Sequence, residues 1–130
     1  MRILFILLLS ISILSFQCSK DQLNIPDSDC LKGKLIVSGP CKNLIVKIIN
    51  GSYDPSKVES KWTDPMTNLV HENVFTVKNV CIFPDSIKEL DEFYFYFVKN
   101  PKYPDCAVCL IYRPTPSTSN YVMISEKPCN

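Results

Sequence analysis

The sequence predicts an all-β domain: a small antiparallel barrel or sandwich of five to six strands, stabilised by disulfides. Three observations carry this. Short apolar segments rich in β-branched and aromatic residues, most with alternating polarity, recur from residue 31 to residue 125. Turn-forming residues separate them. The chain has ten prolines and three glycines, so its turns are rigid and few positions need positive φ. Six of the seven cysteines lie beyond residue 29. At 130 residues there is room for one domain, not two.

The first strand is expected over 31–38, with Leu31, Gly33, Leu35 and Val37 on one face. Gly39-Pro40 turns the chain. A second strand runs over 41–50, where Leu44, Val46 and Ile48 oppose Asn43, Ile45 and Lys47; Asn50-Gly51 ends it. The connection 51–72 is the largest stretch without a strand. Within it, Asp54 is placed to cap a helical turn over 55–60, with Pro55 at its first position. A third strand follows over 73–80, with Phe75, Val77 and Asn79 sharing a face. Another helical turn is expected over 86–90. The strand 93–98 sets Phe93, Phe95 and Phe97 inward and Tyr94 and Tyr96 outward. Strands over 106–112 and 121–125 complete the set.

A hairpin, a long excursion, a third strand and a further pair resemble the OB-type barrel. That resemblance implies five barrel strands, a short helix between the third and fourth, and an open face for ligands.

Residues 1–17 read as a signal peptide. Arg2 supplies the positive charge, and the apolar run 3–16, broken only by serines, is shorter than the ~20 residues a membrane-spanning helix needs. Leu14-Ser15-Phe16-Gln17-Cys18 resembles a lipobox, and Cys18-Ser19-Lys20-Asp21 is similar to the start of many Bacteroidota lipoproteins. The rest of the chain is similar to small lipoproteins of that group, with Trp62-Thr63-Asp64-Pro65 and Cys106-Ala107-Val108-Cys109 at similar places. The resemblance implies lipidation of Cys18, membrane association through that anchor, a lipidated tether over 18–29 and a folded domain over 30–130. It implies an outer-membrane lipoprotein of the cell envelope, and the Lys20-Asp21 pair resembles a tag for surface exposure. Ordinary cleavage would instead give a secreted protein.

With Cys18 lipidated, Cys30, Cys41, Cys81, Cys106, Cys109 and Cys129 remain. An even count in an exported chain predicts three disulfides. If the runs after Cys41 and before Cys81 pair antiparallel, those two cysteines face each other, so Cys41–Cys81 is the favoured bridge. The other four pair in one of two ways. Either Cys30–Cys129 closes the domain and Cys106 joins Cys109, or Cys106 and Cys109 go separately to Cys30 and Cys129.

Charge excludes one class of partner. Without Arg2, basic and acidic residues balance at 13 each. They are interleaved, so the electrostatic footprint of a nucleic-acid binder is missing. Cys106 and Cys109 have the spacing of a redox dithiol. That chemistry needs a thiolate at a helix N-terminus, whereas a strand-like segment follows, so structural disulfides are favoured and a thiol-redox protein using this pair is the alternative function. No sequence feature nominates a serine nucleophile for His71, and Asp91-Glu92 would point to opposite faces of a strand start. No metal site and no cofactor are expected, and the reading is non-enzymatic. The candidate ligand residues are Trp62 in its long loop, beside Tyr53, and the outward Tyr94 and Tyr96. Their aromatic faces suit a carbohydrate or a protein. For Trp62 the alternative is an anchor that covers one end of the barrel.

Overall fold

A computed structural model describes residues 26–99, 101, 106, 107, 109 and 112–130. The expected leader, the expected lipidation site Cys18 and the part of the expected tether up to residue 25 lie outside the described residues. Six strands form one sheet: β1 (Leu31–Gly39), β2 (Asn43–Asn50), β3 (Glu59–Thr63), β4 (Val70–Val77), β5 (Glu92–Val98) and β6 (Ser119–Ser125). β2 pairs with β1, β1 with β5, β5 with β6, and β6 with β4; β4 returns to β2 and closes a five-stranded barrel. β3 adds to β4 as a sixth strand.

Taken from β1 through β2, the barrel strands follow in chain order as first, second, third, fifth and fourth. This is the strand order of an OB-type barrel. An odd number of strands cannot alternate direction all the way round. One pair must therefore run parallel, and it is β4 with β6, where Thr76 meets Ser119 and Val77 meets Asn120. The expected antiparallel arrangement is corrected at that seam. The expected helix between the third and fourth barrel strands is a single 3-10 turn, Val80–Ile82, and residues 86–90 form no helix.

The apolar alternation works as read from the sequence. Phe95 and Phe97 are fully buried and Phe93 nearly so, with Phe75 edge-on to Phe97 at 5.1 Å. Gly33 makes room for this aromatic layer: a Cβ there would lie 2.8 Å from Phe95 Cε1 and 2.9 Å from Val46 Cγ1. At the end of β4, Asn79 is buried and serves as a substitute ladder partner. Its Nδ2 donates to the Val122 carbonyl at 2.6 Å, and its Oδ1 accepts from the Val122 amide at 2.9 Å.

One register shift re-aims a side chain. Leu35 pairs with Val46 and Val37 with Ile45, so Ile36 is an extra residue in β1. This bulge turns Val37 from the inner to the outer face. There it meets Ile45, Val74 and Trp62 in a second apolar cluster, separate from the barrel interior.

Two expected elements differ. Asp54 does cap a turn, accepting from the Ser56 amide at 2.9 Å with Pro55 at its start, but the 3-10 turn is only Pro55–Lys57. β3 begins at Glu59, inside the connection expected to lack a strand. In the segment 106–112, the described residues Cys106, Ala107, Cys109 and Tyr112 belong to no strand. Their cysteines are drawn to partners on separate loops instead of aligning beside β5.

Three disulfides join Cys30 to Cys129, Cys41 to Cys109 and Cys81 to Cys106, with Cα atoms 5.5, 5.1 and 5.6 Å apart. The favoured Cys41–Cys81 bridge is not formed. Its premise holds, since β2 and β4 pair antiparallel with Ile45 opposite Thr76. The 3-10 turns Pro40–Lys42 and Val80–Ile82 interrupt the ladder before either cysteine is reached. Cys41 itself takes a left-handed φ of 66°. Of the two maps for the other four cysteines, Cys30–Cys129 comes from one and the separation of Cys106 from Cys109 from the other.

Candidate functional site

Cys106 and Cys109 bond to cysteines on two different turns. Both residues are exposed, and each is oxidised with a different partner. A thioredoxin-type dithiol requires the two sulfurs to pair with each other. Here they pin the turns that carry Cys41 and Cys81, which Lys42 also bridges through Asp85 at 3.2 Å.

Trp62 lies on β3, not in a loop. It is 8% exposed, stacks on His71 with ring centroids 6.0 Å apart, and covers Val37, Ile45 and Val74. The ring packs β3 against the barrel wall. Two residues on, Asp64 is 2% exposed. Its carboxylate accepts from the Met66 amide at 2.9 Å and from Arg113 Nη2 at 3.0 Å. The Asp64 amide donates to the Leu69 carbonyl, and its carbonyl accepts from the Asn68 amide, both at 2.8 Å. Burial disfavours the Asp64 charge. The Met66 amide, the Thr67 side chain and Arg113 outweigh that, and the carboxyl is held below its ordinary range. Sequence reading reached Asp64 only as part of the Trp62–Pro65 stretch and did not single out Arg113. Nothing in the spacing of two residues 49 apart links them.

Tyr94 and Tyr96 face outward from β5, half-buried, as expected. Trp62 is not brought to them: β6 and β4 separate β5 from β3 in the sheet. The two tyrosines have different surroundings. Lys32 Nζ sits over the Tyr94 ring at 5.9 Å and also bridges Glu92, so that ring has a cation on it. The Lys32 ammonium lowers the Glu92 carboxyl, and Glu92 raises the Lys32 ammonium.

Tyr96 opens instead onto a shallow cleft of about 830 Å³. One wall is the segment before β1, with Ser28 and Asp29. The opposite wall is the segment after β6, with Glu126 and Lys127, and Cys30–Cys129 ties the two together. The walls are held by local bonds. Ser28 Oγ accepts from the Phe97 amide at 2.9 Å and donates to the Asp29 carbonyl at 2.9 Å. Ser125 Oγ donates to the Lys127 carbonyl at 2.8 Å. Residues 26–29, expected as tether, are thus docked on the barrel. Pro26 bridges to Val98, and Asp27 accepts from Lys99 at 2.7 Å and Lys57 at 3.2 Å. Those ammonium groups, Lys99 foremost, lower the Asp27 carboxyl. Asp29 and Glu126 drew no notice in the sequence, because they lie at opposite ends of the domain and come together only when those ends meet.

His71 lies against Trp62, where an aromatic stack occupies the ring. Among the described residues, no group of three or more His, Cys, Asp or Glu side chains is arranged to hold a metal ion. Compared with protein-family models, curated proteins and solved structures, the chain matches none.

Proposed function

We propose that this chain is an exported, lipid-anchored accessory domain of the cell envelope that binds a ligand without catalysing a reaction. The observation that carries the reading is cysteine parity. Of seven cysteines, six are oxidised in three disulfides, and the seventh is Cys18, at the end of an apolar leader and inside a lipobox-like stretch. Disulfides of this kind favour an oxidising compartment. A thioether-linked lipid would use the remaining sulfur and hold the domain at a membrane, each buried CH₂ adding ~0.8 kcal/mol. The OB-type strand order and the outward tyrosines of β5 support a binding role.

Metabolic labelling of the full chain with an alkyne palmitate analogue tests the anchor, in a bacterial host that processes lipoproteins. The wild type takes up label and fractionates with membranes, and Cys18→Ser does neither. An unlabelled wild type found in the medium favours the secreted alternative and rejects the anchor.

A further inference from the structure

The geometry points to the Tyr96 cleft as a binding site for a neutral saccharide; this inference names a ligand class for the binding role proposed above. The cleft has the parts that sugar recognition needs. The Tyr96 phenol ring is a flat apolar wall for the C–H face of a pyranose. Asp29 and Glu126, both exposed, offer carboxylates to accept from vicinal hydroxyls, and Lys127 offers a donor. Among the described residues neither carboxylate is engaged in an ion pair, so both are open to a ligand. The cleft's volume lies within the ~300–1,000 Å³ typical of small-ligand sites. Cys30–Cys129 fixes the spacing of the walls and lowers the ordering cost of binding.

Two features argue against other ligand classes. An extended peptide binds by adding a strand to a free sheet edge. At this cleft β5 pairs with β6 on one side; on the other the β1 ladder ends at Phe95, and residues 26–28 cover the edge beyond it through Pro26 at Val98 and the bonds of Asp27 and Ser28 to Phe97. Phosphate-bearing ligands need a surplus of positive charge. Here two carboxylates face one ammonium. Tyr94 lies one pleat further along the same face, ~7 Å away. It already carries Lys32 over its ring, so Tyr96 is the principal stacking residue.

The test is saturation-transfer NMR on the purified full chain, from membranes or medium, in a detergent without a sugar headgroup. The probes are methyl glycosides and di- and trisaccharides of glucose, galactose, mannose, xylose, fucose and N-acetylglucosamine. At least one probe gives transfer to its ring protons. Tyr96→Ala weakens that probe at least tenfold, Tyr96→Phe keeps it within about twofold, and Asp29→Asn or Glu126→Gln weakens it severalfold. Circular dichroism and the unchanged disulfide map show that each variant is folded. Silence across all the probes overturns the inference, as does transfer that survives Tyr96→Ala, or binding of unstructured peptides at this face. Failure of the anchor would leave the saccharide result unchanged, because the NMR experiment does not depend on Cys18.

Discussion

Asp64 and Arg113, 49 residues apart in the chain, form an ion pair with an N–O distance of 3.0 Å, the carboxylate buried and the guanidinium partly buried. The pair ties the end of β3 to the segment leading into β6, and the Arg113 stem passes against Gly39 at the end of β1. Removing Arg113 leaves the buried Asp64 carboxylate without its cation, and removing the Asp64 charge leaves a partly buried guanidinium unpaired. Asp64→Asn is expected to cost on the order of 3 kcal/mol in urea-melt stability, and Asp64→Asn with Arg113→Met less than the sum of the two singles.

The same carboxylate sets an acid limit. Because Asp64 is held lower in the folded chain than in the unfolded one, its contribution is fully present above the unfolded value of about 4. It is lost as pH falls through the folded value. Stability measured against pH should therefore be flat for this group between pH 7 and 5 and decline below about 4, with a shallower decline in Asp64→Asn.

Gly33 answers to a different constraint. A methyl there meets Phe95 and Val46 inside contact distance, and both neighbours are buried. Gly33→Ala is expected to destabilise by about 1–3 kcal/mol through overpacking, read as a lower midpoint at unchanged m-value.

Trp62 offers a direct optical readout, since it is the chain's only tryptophan. Its burial against Val37, Ile45 and Val74 predicts blue-shifted emission and weak quenching by iodide. Trp62→Ala is expected to cost about 3–5 kcal/mol. Saccharide binding at Tyr96 should leave the emission of the wild type unchanged, because the tryptophan lies on another part of the sheet.

Much of this fold is legible in the sequence, and the illegible parts have physical causes. The alternation in residues 93–98 gives β5 its inward phenylalanines and outward tyrosines, because a half-buried strand leaves a period-two signature. β3 leaves no such signature: Glu59, Ser60, Lys61 and Thr63 are polar, and only Trp62 is buried. Val37 reads as an interior residue until the Ile36 bulge turns it over, and a bulge is a property of the pairing, not of one strand. The parallel seam follows from closing an odd ring, which local sequence cannot announce. The cysteines in 106–112 imitate a strand in composition while being held by two different loops. The Tyr96 cleft is half legible: its aromatic is visible, but its carboxylates come from opposite ends of the domain and meet only through Cys30–Cys129.

That bridge also carries a stability prediction. It closes a loop with a sequence separation of 99, against 25 for Cys81–Cys106. In the chain-entropy model these constraints are worth about 4–5 and about 3–4 kcal/mol. Paired serine replacements at Cys30 and Cys129 should lower stability more than those at Cys81 and Cys106, and should also loosen the walls of the cleft.

Mass spectrometry of the intact chain recovered from membranes, alkylated without reduction and then digested, tests the division of the seven cysteines most directly. The predicted result is an N-terminal Cys18 carrying acyl mass, six cysteines refractory to alkylator, and cross-linked peptides for Cys30–Cys129, Cys41–Cys109 and Cys81–Cys106. A chain that retains residues 1–17 without lipid, or one whose folded form alkylates at all seven cysteines, would contradict it.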